Sequence, residues 1–219
     1  SSIPREEIFI TSKVWNTDQG YESTLSAFDA SLNRLETDYL DLYLIHWPIP
    51  AGYEKDYRDL NRETWKAMER LYKEGQARAI GVSNFLPRHL EALMEQADTI
   101  PMVNQLEINP RYHQTEAVAF CREHGILVES WGPLARGGVL EEPVLRRIAD
   151  KHKKSVAQIC LRWELQRGIV PLPKSVHADR IKANLDVFGF SLDGEDMALI
   201  DTLDAPGHYS IHPDHLSEE

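Results

Sequence analysis

The sequence predicts an α/β fold with parallel strands, on three observations. Six short apolar runs alternate with segments of helical spacing, each run ends in a polar residue, and no glycine-rich G-x-G-x-x-G follows any of them. Strands separated by helices pair in parallel, so their C-termini point the same way. The endings Lys13, His46, Ser83-Asn84, Gln105, Ser130-Trp131 and Lys174-Ser175 are therefore expected on one face, although they are far apart in sequence. Without the fingerprint of an open doubly wound sheet, a TIM (β/α)8 barrel is the better expectation, and its active sites lie at the strand C-termini. Such a barrel needs eight strands and six are read here. Ser1 to Glu7 reads as a loop leading into a strand, so the expectation is one barrel domain over residues 1–219 that lacks its first two βα units.

The elements follow in order. Ile8–Ser12 reads as a strand with Lys13 at its end, and from Gly20 the residues Leu25, Phe28, Leu32 and Leu35 recur at helical spacing. Tyr39–Ile45 is the second strand and leads into His46-Trp47-Pro48. A long loop runs to Asp59, and Asn61 is expected to cap a helix carrying Trp65, Met68 and Leu71, with Gly75 as its stop. Ala77–Val82, Met102–Ile108 and Ile126–Ser130 are the next strands. Pro87 opens one intervening helix, with Leu90, Leu93 and Met94 inward, and Thr115 opens the other. After a glycine-rich loop at Gly132–Gly138, Pro143 starts one helix, and the capping box Ser155-x-x-Gln158 starts another. Ile169–Pro173 is the sixth strand. Its helix is expected to bury Ile181, Leu185 and Phe188, and a last helix capped by Asp193 carries Met197, Ile200 and Leu203.

Composition narrows the function classes. The 219 residues are 42% hydrophobic, enough for a sizeable core. The net charge of −11 argues against nucleic acid or an anionic membrane as a partner. Cys121 and Cys160 fall in helical patterns and read as reduced core residues, and the nine histidines show no metal-ligand spacing. No run approaches the roughly 20 apolar residues of a membrane span. A cytoplasmic monomer without a metal is expected. Lys174 and Ser175 precede a helix with Arg180 and Lys182 in its first turns. Such a cationic cluster at a helix N-terminus, within an acidic chain, is explained most simply by a phosphate-bearing ligand.

Six segments carry a family resemblance: I-T-S-K-V-W-N-T at 10–17, D-L-Y-L-I-H-W-P at 41–48, G-V-S-N-F at 81–85, V-N-Q-L-E at 103–107, E-S-W-G-P-L at 129–134 and L-P-K-S at 172–175, followed by Arg180. In this order and at these separations the chain resembles the aldo-keto reductases along its whole length, in particular the bacterial diketogluconate reductases. The resemblance implies an eight-stranded barrel that reduces aldehydes and ketones with NADPH, using a tetrad of Asp, Tyr, Lys and His. Lys13 and His46 match the lysine and histidine. The Asp and Tyr fall upstream of residue 1, so the chain as given is expected to be unstable or inactive alone.

The resemblance also implies individual roles. The Lys13 ammonium would lower the pKa of the tyrosine that donates the proton, and a neutral His46 would orient the substrate carbonyl between Trp15 and Trp47. Ser83, Asn84 and Gln105 would pin the nicotinamide carboxamide, and Trp131 would stack on its ring. Leu134 and Arg136 would lie over the pyrophosphate. Lys174, Ser175 and Arg180 would hold the adenosine phosphate, with Asn184 at the adenine, where Ala183 replaces a frequent glutamate. Substrate choice is assigned to the Ala51–Asp59 loop and the His208–His215 tail. Two alternatives stand beside this reading: a Schiff-base barrel enzyme using Lys13 or Lys174, and a non-catalytic nucleotide-binding barrel fragment.

Overall fold

A computed structural model of the chain describes residues 3–205 and 210–214. The chain forms two compact units, divided within the fourth strand after Asn104 and within the fourth helix after Ala119. The first unit runs to Asn104 and includes Phe120–Ile126 and the described residues from Ile211; the second holds Gln105–Ala119 and Leu127–Ser210. His208 lies outside the described residues, as does His215, so only the middle of the predicted tail is described.

In the first unit, β1 (Thr11–Val14), β2 (Leu42–Ile45), β3 (Ile80–Ser83) and the start of β4 (Val103–Glu107) are hydrogen-bonded in chain order. The registers are parallel, with Lys13 opposite Leu44 and Leu44 opposite Gly81. Helices α1 (Tyr21–Leu35), α2 (Tyr57–Lys73) and α3 (Pro87–Met94) connect the strands, which is why they can run parallel. A small apolar cluster of Leu42, Leu44 and Val103 packs with Ala79 and Met102. Gly81 makes this close approach feasible. A Cβ there would stand 2.4 Å from the Val103 carbonyl oxygen and 2.9 Å from the Leu44 side chain.

The second unit holds the end of β4, β5 (Leu127–Trp131) and β6 (Val170–Leu172). The Ile108 N–H donates to the Trp131 carbonyl at 3.3 Å, and Trp131 pairs in parallel with Leu172. After α4 (Thr115–Glu123) come α5 (Pro143–His152), α6 (Val156–Gln166), α7 (Ala178–Leu185) and α8 (Gly194–Asp201). The predicted capping box on α6 forms: the Gln158 N–H donates to Ser155 Oγ and the Ser155 N–H to Gln158 Oε1, at 3.2 and 2.9 Å. Asp193 caps α8 in the same way. Cys121 and Cys160 are buried thiols, as expected.

Three expectations need correction. Lys13 lies inside β1 and not at its end, because Arg5–Glu7 forms a 3-10 turn and the ladder begins only where the Asp41 and Leu42 N–H groups donate to the Ile10 carbonyl. Asn61 does not cap α2, which begins earlier, after Asp56. It is buried inside the helix and donates from Nδ2 to the Pro48 carbonyl at 2.9 Å, fixing the start of the 48–59 loop. Ile181, Leu185 and Phe188 are exposed, the last two by 69% and 72%, and Val176 is exposed beside them. Ile181 and Leu185 lie on α7, whereas Phe188 lies beyond its end.

Candidate active site

The predicted site residues fall into two sets, one in each unit. In the first, β1 and β2 are neighbours in register, so Lys13, inside β1, and His46, just past β2, come from adjacent strands. His46 follows Ile45 and its N–H donates to the Val14 carbonyl at 3.3 Å. Its imidazole lies between the two predicted indoles, with ring centroids 5.0 Å from Trp15 and 5.9 Å from Trp47. The two tryptophans differ in setting. Trp47 is only 5% exposed and its carbonyl accepts from Gln19 Nε2 at 2.9 Å, whereas Trp15 is 54% exposed.

Burial, and then the charge of Lys13, push the His46 pKa down to about 4, so the ring is neutral near physiological pH. Its Nδ1 is buried and has no hydrogen-bond partner among the described residues. Leaving such an atom unsatisfied is costly, which marks it as a group suited to meeting a polar ligand atom. Tyr43 is fully buried edge-on to Phe28, and burial raises its pKa, so it is a core residue and no proton donor.

At the end of β3, Ser83 and Asn84 are buried. Asn84 has a left-handed backbone, φ 64°, and its Nδ2 donates to the His46 carbonyl at 3.0 Å and to Ser83 Oγ at 3.1 Å. Asparagine suits this place because its short amide tolerates the left-handed region and bonds locally. Lys13, His46, Trp15, Trp47, Ser83 and Asn84 therefore form one connected group.

In the second unit Gln105 is buried, and its Nε2 donates to Glu129 Oε2 at 2.8 Å. Trp131 is partly exposed two residues beyond Glu129, on the same side of β5. Ser130 faces the other way and donates from Oγ to the carboxyl of Glu164 on α6, whose pKa burial raises to about 8. Leu134 precedes a tight turn in which Ala135 and Arg136 have φ of 46° and 54°, and Arg136 is exposed. Lys174 is exposed just beyond β6, and Ser175 Oγ accepts from the His177 N–H at 3.1 Å. His177 gives α7 no side-chain cap, and Arg180 and Lys182 are exposed on that helix, with Asn184 half-buried.

Glu129, Glu164 and Asn61 were missed as site-shaping residues. Glu129 had a visible signal, a charged residue placed between apolar ones two positions before Trp131, but its partner on β4 was not readable from spacing.

Parallel βα units with polar groups close to the strand C-termini define an α/β class of protein, and the comparisons give its family. The chain belongs to the aldo/keto reductase family, whose model matches residues 1–205. It is 54% identical over 216 residues to the glyoxal reductase of Bacillus subtilis, covering 99% of this chain and 75% of that protein. Among solved structures, MGS-M4, an aldo-keto reductase from a deep-sea metagenome, aligns with a TM-score of 0.93 at 44% identity, over 100% of this chain and 79% of the other. A variant of Gox0644 in complex with NADPH aligns with a TM-score of 0.91 at 44% identity, over 98% and 77% of the two chains.

Proposed function

We propose that the protein binds NADPH and serves the reduction of aldehydes and ketones to alcohols, with small dicarbonyls and keto sugars as the substrate class. The observation that carries this is His46: a neutral imidazole between two indoles, beside Lys13, with a buried ring nitrogen unpartnered. The Bacillus relative named glyoxal reductase and the NADPH-bound neighbour support the substrate class and the nucleotide. The βα units are proposed to belong to an eight-stranded barrel.

The residues present fit a pyridine nucleotide by their donor chemistry. In the first unit Ser83 and Asn84 offer hydroxyl and amide groups suited to a planar carboxamide, and in the second Gln105 offers an amide and Trp131 a ring suited to stacking. Leu134 and Arg136 are assigned to the pyrophosphate. Lys174, Ser175, Arg180 and the uncapped start of α7 suit an adenosine 2′-phosphate, with Asn184 at the adenine.

When bound, the nucleotide supplies a hydride. The side chains do the rest. His46 holds the carbonyl oxygen by a hydrogen bond, and Trp15 and Trp47 flank the reacting carbon and exclude water. Lys13 favours ionisation of a tyrosine that donates the proton to the developing alkoxide. That tyrosine and its aspartate are what the resemblance implies, and the six matching segments of residues 10–175 supply the lysine and the histidine.

Titration with NADPH, read by quenching of tryptophan fluorescence, tests the reading. Arg180→Ala is expected to weaken NADPH binding about tenfold while leaving NADH binding unchanged, since only the former carries the extra phosphate. The absence of saturable quenching by either nucleotide would refute it.

A further inference from the structure

We infer that Gln19 and Asn61 are positioning residues, which together with Asn84 hold the 46–48 segment and so set where the His46 imidazole and the Trp47 indole point. That this serves a substrate carbonyl rests on the reading above. The segment leaves the sheet where β2 ends at Ile45, and Pro48 has no N–H with which to continue a ladder. Its three successive carbonyls each accept from a side-chain amide of a different element. Asn84 Nδ2, at the end of β3, donates to the His46 carbonyl at 3.0 Å. Gln19 Nε2, from the loop before α1, donates to that of Trp47 at 2.9 Å, and Asn61 Nδ2, inside α2, to that of Pro48 at 2.9 Å. All three donor residues are buried, and all lie with the segment in the first unit.

The donors are themselves anchored. Gln19 follows a 3-10 turn over Asn16–Asp18, and its carbonyl accepts from Ser23 Oγ at 2.7 Å. The next N–H, of Gly20, donates to Thr64 Oγ1 on α2 at 2.8 Å. Asn61 sits in a helix interior, where asparagine is a poor helix former, and its bond to Pro48 supplies the reason for it there. Amides suit the task because they donate without a charge. A lysine or arginine in their place would set a second cation beside His46, which already feels that of Lys13. A backbone held at three consecutive carbonyls has little freedom to rotate at any one residue. The directions of the imidazole and the indole are therefore fixed before a ligand arrives, which is what aligning a reacting carbonyl requires.

The experiment uses the ligand-free protein labelled with 5-fluorotryptophan, with the Trp47 signal assigned by its loss in Trp47→Phe. In Gln19→Met, which keeps the length and removes the donor, the Trp47 fluorine line is expected to broaden or split, while that of Trp163 in the second unit stays as it is. The proton affinity of the His46 ring is expected to rise about tenfold as water reaches it, moving its NMR midpoint up from near 4. Asn61→Leu removes a different donor, is expected to act in the same direction, and serves should Gln19→Met fail to fold. A folded variant with both signals unmoved overturns the role, even if it melts earlier, since a merely stabilising bond would lower the melting temperature and nothing else. Failure of the wild-type protein to bind NADPH overturns the carbonyl reading instead, and leaves the holding of residues 46–48 to be decided by these two signals.

Discussion

Asn84 holds the backbone of His46: its Nδ2 donates to the His46 carbonyl at 3.0 Å from a residue whose own φ is 64°. The residue that ends β3 thus fixes the strand end from which the imidazole projects. Asn84→Gly keeps the left-handed backbone and loses the amide, whereas Asn84→Ala loses both. Alanine is expected to be the more destabilising of the two by about 1 kcal/mol, the cost of a β-carbon in that region. Denaturant unfolding of the two variants checks this, and equal stabilities would show that the backbone conformation is not what asparagine serves.

His46 should stay neutral well into the acid range. Its folded pKa, about 4, lies below the usual 6.5, so between these values the unfolded chain binds more protons than the folded one. Stability contributed here is therefore lost as pH falls through that window and regained as pH rises. In an NMR titration the imidazole is expected to show a midpoint near 4. Lys13→Met should raise it only in part, because burial outweighs the charge of Lys13. An ordinary midpoint in the wild-type protein would contradict the buried setting.

Glu164 titrates in the opposite direction. Burial lifts its folded pKa to about 8 from 4.5, against a smaller opposing effect of the Ser130 hydroxyl. The folded state then holds an extra proton between these values, and stability declines as pH rises through them. Glu164→Gln keeps a neutral polar group and should remove the decline. At about pH 8 it is expected to be more stable than wild type by on the order of 3–5 kcal/mol, shrinking towards zero near pH 5. Thermal melts of both proteins across that range decide the matter, with parallel curves counting against it.

Gly81→Ala should damage the first unit. The added Cβ meets the Val103 carbonyl oxygen at 2.4 Å, and backbone cannot step aside as a flexible side chain can. A loss of about 3 kcal/mol is expected, at the upper end of overpacking costs. A melting temperature equal to wild type would mean that the β3–β4 approach is looser than described.

Much of the fold was legible in local signals. The capping boxes at Ser155 and Asp193 and Pro87 and Pro143 at their helix starts all depend on neighbours within a few residues. Boundaries were less so. Lys13 moved into β1 because the ladder starts where Asp41 and Leu42 reach Ile10, a contact 31 positions away for the nearer of the two. The motifs that named the family also named His46, Lys13 and Gln105, but not Glu129, whose meaning comes from the strand beside it.

The sequence by itself determined the alternation of strand and helix and the family, because periodicity, caps and contiguous motifs are properties of adjacent residues. Only the tertiary structure decided that His46 is neutral, that Gln105 donates to Glu129, and that Ile181 and Leu185 of α7 are exposed. Burial and pairing arise from residues distant in the chain, and a one-dimensional pattern states which face is apolar without stating what covers it.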